Sequence, residues 1–596
     1  MSKSRIEINR LKWLRCFFIG PFLFSLLLCG HPISIDGLYQ DWYEVPITYI
    51  DTEGDDLGAD YSTLKITYDS EFLFIYFNFF IGQFLMQDWN DFHLYIDADN
   101  NPSTGYYVHG IGAELEWIFG DRSGYKYVNN QQLEIYQNDL NLRIAPTITS
   151  KEFEIAISRS SLPLTINDSQ LFTEGKLVLS EIQEGGDFVP DEFGGIYFSI
   201  GDDNVSEPQT TTLERYNEDD IRIVSYNTWW EGIIDTERQI YFKRVLQALD
   251  PDIIALQEHG DWEQIEDIIQ SWFPNEEWHA SWTYNDLVVL SHFPIINDAN
   301  MISSGRTMVA LLDTENELGQ NLLIFNSHLS CCSSNEDRQQ QVDEFAGVWR
   351  DWVTHGTGSF ELEYGTPFIH VGDFNYVGYR QQVETIQDGD IEDEDEYGSD
   401  FSPDWDSTSI IDPSPQHTHK RMGYTWRNDQ SSYNPGKLDY IFYSDATINP
   451  GKYYILNTLA MDDLALDYYE LQLEDTQIAS DHLPIVFDIS VNNEVGITRE
   501  QILPISPILY PNYPNPFNSI TTITFYLSEP AIVDLSIINV MGNTVKKFIH
   551  EKRPAGNSSI NWDGKNTIGE SVTSGIYFYL LEVNGMSLKN KMVLLK

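Results

Sequence analysis

Residues 368–375 read FIHVGDFN, an apolar run that ends abruptly in Asp373 and Asn375 with Phe374 between them. A short run of this kind reads as a buried strand, and its end delivers a carboxylate and an amide to one spot. The pattern recurs along the chain. IRIVSYN ends at Asn227, PDIIALQE at Glu258 and NLLIFNSH at His328, and KLDYIFYS carries Asp439 within it. Between these strands lie helix-like stretches such as TERQIYFKRVLQALD (236–250) and EDRQQQVDEFAGVWRDW (336–352), so helices are expected to cover the faces of the sheet. In layered α/β folds the strand ends and their loops form the crevice where ligands bind, and a strand is a rigid mount for what stands at its end.

The residue types then constrain the reaction. Glu258, Asp373, Asp439 and Asp481 would repel one another in a dry crevice unless a divalent cation sat among them. Oxygen ligands favour Mg2+ or Mn2+, and no Cys/His set stands at zinc spacing. His328 and His482 supply proton donors or orienting groups near neutral pH. Metal, carboxylates and histidines without a Ser or Cys nucleophile point to water attacking a phosphate ester. Singly, each residue reads more readily as a cap, a satisfied polar group or core than as a functional group; the ordered set of strand-end clusters carries the argument.

The segments SYNTWW, ALQEHG, NSHLS, VGDFN, YTWRND, KLDYIFYS and ASDHLPIVFDI stand in the order found in the endonuclease/exonuclease/phosphatase superfamily, which residues 220–492 resemble. The resemblance implies a four-layered α/β sandwich, two mixed sheets packed face to face with helices outside. It implies Glu258 as the principal metal ligand, with Asn227 and Asp481 completing the shell directly or through water. It also implies Asp373 and Asn375 as the pair that orients the attacking water and the phosphate, and Asp439 as the partner of His482. His328 occupies the place where deoxyribonuclease-like and sphingomyelinase-like members have a histidine that protonates the departing oxygen. Arg306, in SSGRTM, reads equally as a phosphate contact or a surface arginine.

The flanks read differently. Residues 32–200 alternate apolar and aromatic segments such as EFLFIYFNFF and GGIYFSI with Gly, Asn and Asp clusters, the pattern of an antiparallel β-sandwich. ISIDGLYQDW and LYIDADNNPSTGY resemble bacterial carbohydrate-binding modules and DOMON-like domains, a resemblance that implies a polysaccharide partner. Asp97, Asp99 and Asn101 alternate as Ca2+ ligands do, but Pro102 stands where an EF-hand loop needs Gly and no Glu closes it, so an Asx-rich turn is favoured over a Ca2+ site. Residues 510–596 hold short strands with Gly and Asn turns, a small immunoglobulin-like β-sandwich. From YPNYPNPFNSITTITFYL to KNKMVLLK they resemble the C-terminal sorting domain read by the type IX secretion system of Gram-negative bacteria, which implies passage across the outer membrane. Residues 201–219 and 493–509 lack apolar periodicity and read as linkers.

Composition bounds the rest. Lys3, Arg5, Arg10, Lys12 and Arg15 precede the apolar stretch 16–29, too short for a spanning helix, so residues 1–30 read as a secretory signal peptide and no stable membrane insertion is expected. Beyond it only Cys331 and Cys332 remain, as a vicinal disulfide or as two free thiols, so no disulfide framework holds these domains. The formal charge, 35 − 92 = −57, keeps an exported chain soluble and argues against a processive DNA binder, which wants a basic groove. The expected function is therefore a secreted or cell-surface, metal-dependent phosphodiesterase, with DNA or RNA the first substrate to consider. A sphingomyelinase-like or small-molecule phosphodiesterase or phosphatase, and a non-enzymatic polysaccharide-binding surface protein, are the alternatives.

Overall fold

A computed structural model of the chain describes residues 26–491, apart from 55–57, 129–130, 166–170, 183–185, 202–204, 207, 209, 261 and 284–285. It further describes 508–595, apart from 510–511, 513–514, 516, 519, 528–530, 541, 554–555 and 584–585. The expected leader lies outside the described residues up to position 25, and the linker expected at 493–509 lies outside them up to position 507, its last two residues forming the strand Ile508–Leu509. Among the described residues no helix is long and apolar enough to cross a membrane.

The central segment builds two mixed sheets. Six strands run in the spatial order 279–283, 287–291, 253–257, 221–227, 485–491, 448–455, and five in the order 295–300, 307–312, 322–328, 368–373, 439–443. Strand 221–227 is parallel to 253–257, and 322–328 is parallel to 368–373. Successive side chains of a strand face opposite ways. Accordingly Ile223, Ile253, Val289, Ile324 and Ile369 fill the core shared by the two sheets. Their chain neighbours Val224, Ile254 and Val288 pack in a second core that includes Phe242, Val245 and Leu246 of helix Gln239–Leu249. Leu323, Phe325 and Phe368 pack in a third with Val342, Phe345 and Trp349 of helix Asn335–His355. Strands buried on both faces are mostly apolar, which is why these segments read as near-continuous apolar runs. Arg222 adds a buried bidentate clamp on Asp488, Nε–Oδ1 2.6 Å and Nη2–Oδ2 2.8 Å, tying strand 221–227 to 485–491.

Residues 32–200 form the expected β-sandwich, one sheet of eight strands and one of five; the eighth strand is Leu26–Leu28, from the end of the expected leader, which pairs in parallel with 198–200. Its Asp-rich turn is an Asx turn, with Asn101 N donating to Oδ1 of Asp97 and Asp99 at 3.2 and 3.0 Å. Glu114 brings a third carboxylate, so that one oxygen from each of the three lies within 4.8 Å of the others.

The sandwich is not a separate body. The chain divides into two compact units, Met1–Glu494 and Val495–Lys596, where three folded blocks were expected. The reason lies in strand Phe72–Phe79. Leu73, Ile75, Phe77 and Phe79 fill the sandwich, while Phe72, Phe74 and Tyr76 join a cluster that continues through Met422 and Tyr424 into the central core. Ile35 pairs with Met422, its N–H donating to Arg421 O at 3.0 Å and its carbonyl accepting Gly423 N at 2.9 Å. The connection expected as an open linker at 201–219 is likewise seated: Leu213 is buried, its N–H donates to Tyr469 Oη at 2.9 Å, and Lys452 Nζ donates to Thr212 O at 3.0 Å.

The second unit is a small immunoglobulin-like β-sandwich of a three-stranded and a four-stranded sheet. Ile523, Phe525, Val533, Leu535, Trp562, Tyr579 and Leu581 form its core.

Candidate active site

Strand register assembles the site. His328 pairs with Asp373, and Asp373 with Asp439, so three adjacent strands bring these side chains to one level. Close approach there requires glycine: Gly372 has φ +139°, and a Cβ on it would lie 2.0 Å from Ser327 O. From the facing sheet, Asn227 stands opposite Gln257 at the last rung, and Glu258 follows with φ +56°. Asn375 is also left-handed, at φ +52°. Such non-glycine conformations cost about 1–3 kcal/mol each and persist where the surroundings enforce them.

These strand ends converge. Asn227 Nδ2 donates to Glu258 Oε1 at 3.2 Å and to Asp373 Oδ2 at 3.0 Å, spanning the two carboxylates. Its Oδ1 accepts Trp229 N at 2.9 Å, and Glu258 Oε2 accepts Trp230 N at 2.9 Å. Asn375 donates from its backbone N to Asp373 Oδ1 at 2.9 Å and from Nδ2 to Asp373 Oδ2 at 3.1 Å. His482 Nδ1 lies 2.8 Å from Asp439 Oδ2, and its Nε2 is 3.7 Å from Asp373 Oδ2. On the other side His328 Nε2 is 3.8 Å from Asp373 Oδ2 and 3.9 Å from Glu258 Oε1. Asp373 thus stands between two imidazoles.

The donor atoms fall into two overlapping groups, each within 4.8 Å: Glu258 with His328 and Asp373, and Asp373 with Asp439 and His482. Asp481 borders the same cleft but belongs to neither group; its Oδ2 accepts Trp426 Nε1 at 3.1 Å and Asn428 Nδ2 at 3.4 Å. All eight side chains singled out in the sequence are therefore at one rim, with Asp481 on its edge and Asn227 bridging carboxylates.

Burial and charge set the protonation. Burial pushes the Asp373 carboxyl up to about 6, against the pull of His482 and His328. Burial lowers the His482 imidazole, but the Asp439 and Asp373 carboxylates outweigh it and hold its pKa at about 10. His328 is also raised: burial pulls it down, and its hydrogen bond to Asp286 and the charge of Asp373 prevail. Burial raises Asp481.

Sequence reasoning missed Asp286, whose Oδ2 lies 3.2 Å from His328 Nδ1. It stands in a loop beyond strand 279–283, with no motif to mark it. Arg306 reaches the same histidine, Nη1 to Nδ1 3.4 Å, and Asp286 at 3.8 Å. Cys331 and Cys332 carry free thiols at the rim of the cleft. Also missed were Gln87 and Thr147 of the N-terminal sandwich, which line this cleft together with Tyr433 and Asn434.

The model of the Endonuclease/Exonuclease/phosphatase family matches residues 224–482, and that of the FlgD Ig-like domain matches 517–587. No curated protein matches the chain. Among solved structures it is similar to the human Nocturnin catalytic domain with bound sulfate anion, at 17% identity over 48% of this chain and 97% of that one, TM-score 0.28. It is also similar to D. rerio TDP2 complexed with single strand DNA product, at 14% identity over 46% and 99%, TM-score 0.30. A third is the 3′ phosphatase NExo from Neisseria, at 13% identity over 45% and 98%, TM-score 0.29. The match to the Endonuclease/Exonuclease/phosphatase family model spans Asn227, Glu258, His328, Asp373, Asn375, Asp439, Asp481 and His482, the side chains that meet at the cleft.

Proposed function

We propose that the chain is an exported, divalent-metal-dependent phosphodiesterase that hydrolyses phosphate esters by attack of water. The observation that carries this reading is the convergence of Glu258, His328 and Asp373 within 4.8 Å, beside the Asp439–His482 pair. The donor set fits Mg2+ or Mn2+: carboxylate oxygens predominate, and the raised Asp373 carboxyl is what crowded, buried acids give before a cation compensates them. Glu258 would hold the ion, with Asn227 and Asp481 at its edge, leaving Asp373 for the water. When bound, it supplies a Lewis acid for the phosphoryl oxygens.

The chain's own groups divide the remaining work. His482, positively charged at neutral pH beside Asp439 and Asp373, offers Nε2 to an anionic phosphate oxygen. Asp373, fixed by both hydrogen bonds from Asn375, accepts the proton of the attacking water. His328, its Nδ1 held by Asp286, gives a proton from Nε2 to the departing oxygen. The basic and then apolar residues 1–30 and the segment 510–596 support export by a Gram-negative bacterium through type IX secretion machinery.

The test is hydrolysis of bis(p-nitrophenyl) phosphate by the full chain with Mg2+, with and without EDTA. Turnover is expected to vanish with the chelator, and Asp373→Ala is expected to lose it by about a thousandfold or more while the far-ultraviolet circular dichroism stays unchanged. Undiminished turnover by Asp373→Ala refutes the assignment.

A further inference from the structure

We propose that the N-terminal sandwich is part of the active site. With the segment 426–438 it forms a subsite for the organic group of a nucleotide-like phosphate ester, and it narrows the cleft against duplex nucleic acid. This rests on the phosphate-ester reading above and names its substrate class.

The wall is built from both sandwiches. Gln87 is 7% exposed, lines the cleft, and accepts Asn434 N on Oε1 at 3.3 Å. Beside it Arg122 stacks over the Tyr433 ring at 4.2 Å from its centroid, donates to Gln87 O at 2.9 Å and pairs with Asp88. Asn138 donates to Asp429 O, at the start of the same loop. Thr147 Oγ1 donates to Tyr376 O at 2.7 Å, one residue beyond Asn375. The loop that borders the cleft at 429–436 is therefore fastened to the sandwich.

Just beneath the surface of this wall lies an amide without a partner among the described residues. Asn434 is 2% exposed and lines the cleft, and neither Nδ2 nor Oδ1 has a hydrogen-bond partner among the described residues. A buried polar group left unpaired costs about 1–3 kcal/mol, so a donor and an acceptor side by side ask for a ligand edge that carries the complementary pair. An amide or a nucleobase has such an edge.

The opposite wall is aromatic. Trp229, Trp230 and Glu231 all adopt positive φ, 46°, 55° and 56°, and Trp230 is 80% exposed at the cleft mouth. Consecutive left-handed residues without glycine hold a strained turn where an indole face stands open to a planar ring. Size and charge point the same way. The cleft encloses about 730 Å³, within the range of sites that hold one small molecule. Arg306 is its one Lys or Arg side chain among the described residues, in a chain of formal charge −57, so no basic track exists there for the backbones of a duplex.

The experiment compares bis(p-nitrophenyl) phosphate, thymidine 5′-(p-nitrophenyl phosphate), a short single strand and the matching duplex, all with the full chain and Mg2+. The nucleoside ester is expected to exceed bis(p-nitrophenyl) phosphate in kcat/KM by about tenfold, and the single strand to exceed the duplex by at least as much. Gln87→Ala and Asn434→Ala are expected to raise KM for the nucleoside ester about tenfold while kcat moves less than about threefold. Asn434→Asp, of the same size but without the donor, gives the same result and guards against a folding defect in the alanine variants. No turnover of any substrate overturns the phosphate-ester reading itself. Turnover of bis(p-nitrophenyl) phosphate with no preference for the nucleoside ester, or a duplex cut as fast as its single strand, overturns the subsite alone.

Discussion

At the scale of the residue, one carboxylate, Asp373, stands between two imidazoles to which the proposed mechanism gives different work. His482 and His328 approach the same Oδ2 at 3.7 and 3.8 Å, but each is turned by its own acid, Asp439 at 2.8 Å and Asp286 at 3.2 Å. Asp286 is a positioning residue: it fixes which nitrogen of His328 faces the crevice and stabilises the charged ring. Replacing it with Asn keeps the volume and removes the charge. Asp286→Asn is expected to lower kcat about 10- to 100-fold with little change in KM. Because Asp286 raises the His328 pKa against burial, the variant's alkaline limb in a plot of log kcat against pH is expected to move to lower pH. A purely structural role would leave that limb in place. VGDFN and SDHLP marked Asp373 and His482, because Asp373 ends the apolar strand 368–373 and His482 stands just ahead of the apolar strand 485–491. Asp286 could not be read from SWTYND: its role exists only because strand 279–283 carries the loop to the far side of the crevice.

At the scale of the element, alternation explains what was legible and what was not. Strands such as 221–227 and 322–328 are buried at every position, mostly apolar, and end in polar groups, a pattern that fixes strand, layer and site together. EFLFIYFNFF is apolar on both faces too, but sequence cannot say that its second face covers a neighbouring domain rather than a helix. Loops carry less signal still. Asp404 is an example: from the segment after the acidic run it reaches the end of strand 439–443, accepting Trp405 N at 2.6 Å, Ala446 N at 3.3 Å and the Ser444 hydroxyl. Burial pushes its carboxyl up to about 7, above the ordinary 3.8, although these hydrogen bonds pull it down. A folded-state value above the unfolded one means that the contribution to stability is complete below about pH 4 and is lost as pH rises through about 7. Asp404→Asn has no such titration. The stability of the wild type relative to Asp404→Asn is therefore expected to fall by on the order of 2 kcal/mol between pH 4.5 and pH 8, read by urea unfolding at each pH. A difference that stays flat across that range rejects the assignment.

At the scale of the whole molecule, the chain joins two folds that each look self-sufficient in sequence into one compact unit of 494 residues. A β-sandwich pattern and a set of strand-end motifs announce two domains, and the low-complexity stretch between them announces a spacer; nothing in either pattern encodes the surface by which they meet. That surface is substantial in kind. Phe72, Phe74 and Tyr76 pack in one cluster with Met422 and Tyr424, Ile35 exchanges backbone hydrogen bonds with Arg421 and Gly423, and Thr147 and Thr149 bond the backbone of 376–380. Cutting the chain at the apparent spacer would return Met422 and Tyr424 to water, at about 1.5–3 kcal/mol for each large apolar side chain. It would also leave Tyr376 O, Gly378 O and Arg421 O without their donors. Against a net stability of about 5–15 kcal/mol these losses are large. The fragment 218–492 is therefore expected to unfold at least about 10 °C below residues 26–494 and to bind a hydrophobic dye at temperatures where the longer chain does not. Calorimetry of residues 26–494 is expected to give a single transition that engages both sandwiches. Two well-separated transitions, or a fragment 218–492 as stable as the whole unit, would show that the sandwich leans on the catalytic domain without supporting it, and the shared wall of the cleft would lose its rigid mount.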